Sequence, residues 1–222
     1  YLENLPVTVL SPENIEADDA MAYISQQVYP KSQCVIMSTD RDFLQLVDDR
    51  VQVWSPTKKK FYFKETIKEE FNIYSKNFLM YRVLTGDSSD DIPGIRGAGA
   101  KTLMKRLPIL FEDNKVELND IFEYVKESND GTKLAADILS SKKMLELNRE
   151  LMQLDEVDIP GRTKQTILEI VQKPISKLTQ IKFLSMTLDD TLNLNIKNPQ
   201  LWLKDTFGKL DVFARRKDNE SK

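Results

Sequence analysis

The sequence has no histidine and only one cysteine, Cys34, in 222 residues. Without histidine there is no His-based catalytic triad, no imidazole general base and no His–zinc site. A single cysteine cannot form an internal disulfide, which fits a reducing compartment, and the expected location is cytoplasmic. No apolar run reaches the ~20 residues that span a bilayer, and no signal peptide is visible, so no membrane partner is expected. An excess of positive charge is also missing: 32 Lys and Arg face 35 Asp and Glu, for a net charge of −3. Any contact with nucleic acid must therefore come from local basic clusters. Glycine is scarce as well, at seven residues, yet Gly94, Gly97 and Gly99 fall together. What remains, 41% hydrophobic and 30% charged, is the composition of a globular chain long enough to bury a core.

The richest stretch runs from Leu84 to Thr102. Its first half carries Asp87, Asp90 and Asp91; its second half is the glycine turn, which leads into a helical pattern bearing Lys101 and Lys105. Clustered carboxylates suit hard divalent cations. Glycines ahead of a helix let main-chain N–H groups approach a phosphate. Two further acid groups lie upstream. Ser11-Pro12-Glu13 reads as a helix entry, with a helix over residues 11–28 carrying Glu16, Asp18 and Asp19 and burying Met21, Ile24 and Val28. Read alone, such acids merely complement the helix dipole. The apolar run at residues 34–39 predicts a fully buried strand of a parallel sheet, with Asp40 and Asp42 just past its carboxyl end. Ligands of open α/β sheets bind there, although Asp42 equally suits a helix cap. With histidine absent, Mg²⁺ or Mn²⁺ is the expected metal, as two ions, and the chemistry expected of such a cluster is two-metal phosphodiester hydrolysis.

Elsewhere the pattern predicts a strand at residues 7–10 and another at 51–55, the latter turning through Thr57-Lys58-Lys59-Lys60 into Phe61-Tyr62-Phe63 as a hairpin. The three lysines read as a solvated turn that blunts a sheet edge. Helical patterns follow at residues 67–71, 78–84, 101–106, 120–128, one long helix at 134–154, and 163–171. Asn129-Asp130-Gly131 marks a turn. Short helical pieces are expected after Pro174, with Phe183, Leu188 and Leu192 in the core and a frayed, charged end from Arg215.

Three segments then resemble a known family: Ile15-Glu16-Ala17-Asp18-Asp19, the run from Ser38 to Leu46, and the run from Thr85 to Gly99. In this order they are similar to the structure-specific 5′ nucleases, a family that includes flap endonucleases, the 5′-nuclease domain of bacterial DNA polymerase I and bacteriophage 5′ exonucleases. Val53-Trp54-Ser55-Pro56, followed by lysines and aromatics, looks most like the ribonuclease H branch of T-even-type phages. The resemblance covers about residues 6–106. It implies a PIN-like α/β fold, a parallel sheet flanked by helices, with a helix–hairpin–helix and a mostly helical C-terminal region. It implies Glu16, Asp18, Asp19, Asp40, Asp42, Asp87 and Asp90 as metal-binding acids, all but Glu16 also as catalytic. Asp91 stands where many relatives have Asn and is not included. The turn with Gly94, Arg96, Gly97, Ala98, Gly99, Ala100, Lys101, Thr102 and Lys105 corresponds to the helix–hairpin–helix that grips duplex DNA, with K⁺ as a candidate monovalent ion.

The expected domains are a partial nuclease domain at residues 1–85 and a helix–hairpin–helix with helical domain at 86–222. Family members begin with a strand bearing a metal-binding Asp, then a second acid and a basic arch. None of these is in this sequence, so a segment of about 100 residues is expected outside it, truncated or as a separate chain. The function implied is a Mg²⁺-dependent 5′-3′ exonuclease or flap endonuclease that removes RNA primers during DNA replication. Its partners would be DNA and RNA–DNA duplexes with 5′ flaps or ends, with a single-stranded-DNA-binding protein or sliding clamp as candidates. Two other readings stay open: a non-catalytic duplex-DNA-binding module, and a replication-complex docking domain.

Overall fold

The computed structural model describes residues 1–128, 131–189 and 196–220. The chain divides into two compact units, residues 16–158 and residues 1–15 with 159–222.

The first unit begins with helix α1, Ala17–Tyr23, which Glu16 caps in extended conformation and a π-turn, Ile24–Val28, prolongs. The helix starts later than the Ser11-Pro12 signal predicts because Asn14 adopts φ 60°. Asparagine tolerates that left-handed conformation, and a helix cannot run through it. Ala20, Ala22 and Tyr23 are buried, whereas the expected Met21, Ile24 and Val28 are half-buried.

A three-stranded sheet follows, ordered β1-β2-β3. Strand β1, Cys34–Met37, pairs in parallel with β2, Val51–Ser55, with Ile36 opposite Val53; β2 pairs antiparallel with β3, Lys60–Tyr62. The hairpin turn lies where the lysines predict it. Lys58 and Lys60 both bridge to Glu70, at 2.8 and 2.9 Å, so two of the three are paired rather than simply solvated. The alternation of side chains sends Ile36, Val53 and Tyr62 inward. The opposite face is open: Val35 and Met37 are 57% and 68% exposed, and Phe61 is exposed beside Trp54. Strand β1 is thus an edge strand with one bare face, not the fully buried strand its apolar run predicts.

Helices α2, Lys64–Phe71, and α3, Phe78–Thr85, match their patterns. α4, Ala100–Arg106, and α5, Leu118–Ser128, do so as well. The predicted long helix is two: α6, Lys133–Ser140, and α7, Lys142–Met152. The break is at Ser141, and Ser140 turns its hydroxyl onto the Asp137 carbonyl, the local competition that makes serine a poor helix interior. Two buried amides hold loops in place. The Asn77 side chain donates to the carbonyls of Leu110, Glu112 and Asn114 and accepts from Val116 N–H. The Gln45 side chain donates to Met152 O and accepts from Leu154 N–H, which ties the 3-10 turn Asp42–Leu46 to the end of α7.

The second unit contains α8, Gly161–Gln172, α9, Gln180–Asp189, and α10, Pro199–Glu220. Its core is Leu5, Phe183 and Leu203, with Tyr1, Val7 and Trp202 against it. Residues 7–10 form no strand; instead the chain start is held here by Tyr1 OH donating to Met186 O and Thr179 N–H donating to Asn4 O. The C-terminal pieces are longer than expected, α10 having 22 residues and running through Arg215 to Glu220. Phe183 is core as predicted, but Leu188 is 79% exposed. Leu192, the Asn129-Asp130 turn and the last two residues lie outside the described residues. No described helix is long and apolar enough to cross a membrane.

Candidate metal and nucleic-acid site

The candidate site starts at the carboxyl end of β1. Ser38 Oγ accepts the Asp40 N–H at 3.1 Å, and Asp40 Oδ1 accepts the Asp42 N–H at 2.8 Å. These two small turns swing the chain into the 3-10 turn Asp42–Leu46, at whose first position Asp42 sits. The cap position belongs to Arg41, so Asp42 keeps its carboxylate for other partners. A crevice of about 170 Å³ opens at this strand end, lined among others by Ser38, Asp40, Arg41, Ser55 and Lys58. A larger crevice of about 750 Å³, lined by Lys68, Tyr74, Lys115, Arg149 and Asp155, includes none of the candidate acids.

Helix α3 brings the second acid group. It ends at Gly86, whose φ of 73° is a conformation that suits glycine and little else. The chain then forms a tight loop in which Asp87 and Ile92 exchange both main-chain hydrogen bonds. Gly94 closes the loop against the helix end: a Cβ there would lie 2.1 Å from Thr85 O, and one on Gly86 would lie 2.4 Å from Gly94 N. The buried Asn148 of α7 staples the same place by donating to Val83 O and Pro93 O.

Between the two groups stands Arg82, buried on α3. Its Nε donates to Asp42 Oδ1 at 2.7 Å and its Nη2 donates to Asp87 Oδ2. The other Asp87 oxygen accepts from Ser89 N–H at 2.8 Å and from Ser89 Oγ–H at 2.5 Å. Burial disfavours ionised Asp87, but the Ser89 donors and the Arg82 guanidinium outweigh it and hold the carboxyl at about 2. Burial pushes Asp42 the other way, above the usual carboxylate range. Arg82 opposes that shift, and the charges of Asp40 and Asp87 add to it. Burial lowers the Arg82 guanidinium, yet Asp42 and Asp87 raise it overall.

The third group occupies the first turn of α1, a helix that packs against the Asp42–Leu46 turn, as α3 does. Asp18 Oδ1 accepts the Asp19 N–H at 2.9 Å. Asp19 is pushed above its ordinary value by burial, then by the charges of Asp18 and Glu16, against a backbone hydrogen bond from Glu16. Thus Arg82 links Asp42 to Asp87 with Asp40 beside Asp42, Glu16, Asp18 and Asp19 cluster on a neighbouring element, and Asp90 stands exposed on the 87–92 loop. Among the described residues, no three carboxylates stand close enough to hold an ion as they are. Arg82 fills the space between Asp42 and Asp87. The donor chemistry, all carboxylate oxygen, nevertheless fits a hard divalent cation.

The glycine turn splits in two. Gly94 is committed to packing. Around Gly97, at φ 84°, and Gly99 there is open space. Arg96, Lys101, Thr102 and Lys105 are exposed; Ala98 is buried, with its N–H donating to Ile95 O. Ala100 and Lys101 open α4, where N–H groups have no intrahelical acceptor. Sequence reasoning missed Arg82, Asn148 and Gly86. The signal for Arg82 was there, a lone cation in the apolar run Phe78-Leu79-Met80-Tyr81-Arg82-Val83-Leu84.

A resolvase-like α/β fold accounts for this arrangement. Residues 1–72 match the family profile of the 5′-3′ exonuclease, N-terminal resolvase-like domain. The 5′-3′ exonuclease of Buchnera aphidicola is 38% identical over 104 residues, 46% of this chain and 36% of that protein. The 5′-3′ exonuclease of Aquifex aeolicus is 30% identical over 181 residues, 77% of this chain and 61% of that protein. The fold is shared with the bacteriophage T5 flap endonuclease, solved as a pseudo-enzyme-product complex with DNA and metal ions. The TM-score is 0.60 at 24% identity, over 72% of this chain and 61% of that one. The chain is thus similar to 5′-3′ exonucleases over part of its length. It spans between about a third and three-fifths of the length of these two curated relatives.

Proposed function

We propose that this chain is the acid-bearing and DNA-gripping part of a divalent-metal-dependent 5′ nuclease that hydrolyses phosphodiester bonds at flaps, ends and RNA primers during replication. The observation that carries the reading is the meeting of three acid-bearing elements at the turn after β1, where Arg82 bridges Asp42 and Asp87 and Asp40 lies beside Asp42. Asp40, Asp42, Asp87 and Asp90 would hold Mg²⁺ or Mn²⁺, with Glu16, Asp18 and Asp19 on the adjoining helix; two such ions supply an activated water and stabilise the leaving oxygen. The chain's own contribution is to fix the carboxylates and to present a crevice at the strand end.

The open glycines and the exposed Lys101 and Lys105 would hold the duplex through its backbone, without reading its sequence, with K⁺ at the turn. In this reading residues 1–85 supply the nuclease half and residues 86–222 the DNA-gripping half. The bare face of β1, with Val35, Met37, Trp54 and Phe61, and its unpaired edge, would receive a further segment of the nuclease fold, since parallel pairs are normally covered on both faces. A single-stranded-DNA-binding protein or sliding clamp would be a further partner.

The test is flap cleavage with Mg²⁺, using the complete protein that carries this chain and its Asp42→Asn and Asp87→Asn variants, alongside DNA binding. Cleavage falls by orders of magnitude while binding is retained or tightened, because removing acids relieves repulsion of phosphate. Undiminished cleavage by the double variant, or cleavage that EDTA leaves intact, overturns the reading.

A further inference from the structure

The acid cluster already contains a cation, and it is a side chain. We infer that Arg82 is the built-in counter-ion of the candidate metal site: it cross-links Asp42 and Asp87 while no metal is bound and gives way when a divalent cation enters. This rests on the metal reading above but concerns a residue which that reading leaves without a role. Arg82 is buried in the middle of α3, with a side chain only 11% exposed, and the side chains of Asp42 and Asp87 are 15% and 14% exposed. Two carboxylates so placed repel each other, and water screens them little. One guanidinium serves both because its donors diverge: Nε reaches Asp42 and Nη2 reaches Asp87. A lysine is a single point donor and cannot reproduce that fork.

The remaining hydrogen bonds show what is fixed and what can exchange. Asp87 Oδ1 is anchored by both donors of Ser89, so the carboxylate keeps its place whether or not Arg82 holds Oδ2. Arg82 therefore has one job at Asp87 and one at Asp42, and a divalent cation can do both. The cost of the exchange is a positive charge beside the incoming metal. Arg82 thus stabilises the metal-free chain and weakens its affinity for cations. It is a positioning residue, since it acts on the carboxylates and not on the substrate.

The test uses the full chain and two readouts that need no nuclease activity: thermal unfolding in EDTA, and Mg²⁺ or Mn²⁺ affinity by titration calorimetry. Arg82→Gln lowers the metal-free Tm by about 5 °C or more and binds the cation about tenfold or more tightly, as a nearby unit charge is removed. Arg82→Lys loses part of the metal-free Tm and keeps near-wild-type cation affinity, because charge is retained and the fork is not. Arg82→Gln combined with Asp42→Asn recovers part of the lost Tm, and it keeps the comparison measurable if the single variant folds poorly. An unmoved metal-free Tm in Arg82→Gln, or weaker cation binding, overturns the inference. No cation binding by wild type or variant is a different failure, since it removes the proposed metal site and the exchange with it.

Discussion

Gly94→Ala should destabilise the unit formed by residues 16–158 and displace Asp87, whereas Gly99→Ala should do neither. A Cβ on Gly94 would sit 2.1 Å from Thr85 O and 2.2 Å from Thr85 C. Both are main-chain atoms, so no side chain can rotate away. Relief requires moving the end of α3 or the 87–92 loop, and overpacking of this kind costs about 1–3 kcal/mol. For a domain of this size each kcal/mol lowers Tm by about 2–4 °C, so the variant should melt some 2–12 °C below wild type. The loop also carries the main-chain pair of Asp87 and Ile92, so the Asp87–Arg82–Asp42 bridge loosens with it. Gly99 has an ordinary φ of −72° and nothing within 4 Å of its Cβ position, so its Tm should stay within about 1 °C of wild type. Thermal denaturation by circular dichroism measures stability, and fluorescence anisotropy on a duplex measures DNA binding. A Gly94→Ala protein with wild-type Tm and selectively lost DNA binding would refute the packing argument and return Gly94 to the DNA cradle.

Asp87 sits at about 2, below its ordinary range, so its contribution to stability is present above the ordinary carboxylate value and is lost as pH falls through about 2. Asp87→Asn should flatten the loss of stability in acid between about pH 4 and 2; urea unfolding at stepped pH with an unchanged slope would contradict this. Lys101→Ala and Lys105→Ala should each weaken binding to unrelated duplexes and reduce the salt dependence by roughly one counterion. Anisotropy titrations over a range of salt read both effects, and an unaltered slope removes these lysines from the DNA contact.

Much of the architecture is legible because its causes are local. The lysine turn between β2 and β3, helices α2 to α5 and α8, and the acids at a strand end and a helix start follow from residue spacing within one element. Those placements needed only periodicity, capping and turn chemistry. The errors came where a local signal met a stronger neighbour. Ser11-Pro12 is a sound helix entry, but Asn14 at φ 60° moves the start of α1 to Ala17. The apolar run of β1 reads as buried from both sides, but burial depends on what covers the sheet, and Val35 and Met37 are left bare.

The sequence by itself determined which acids exist, their order, and that with histidine absent carboxylate oxygen is the main ligand type on offer to a metal. Only the tertiary structure decided that Arg82 lies between Asp42 and Asp87, forty residues and five residues away in the chain. It alone showed that Asn77, Gln45 and Asn148 satisfy main-chain groups far from them in sequence. It alone showed that Gly94 is needed for packing while Gly97 and Gly99 remain open. The physical reason is range. Propensity and periodicity act over a few residues, whereas charge neutralisation, buried hydrogen bonding and van der Waals exclusion act between whichever groups the fold brings together, and nothing in local spacing specifies those pairs.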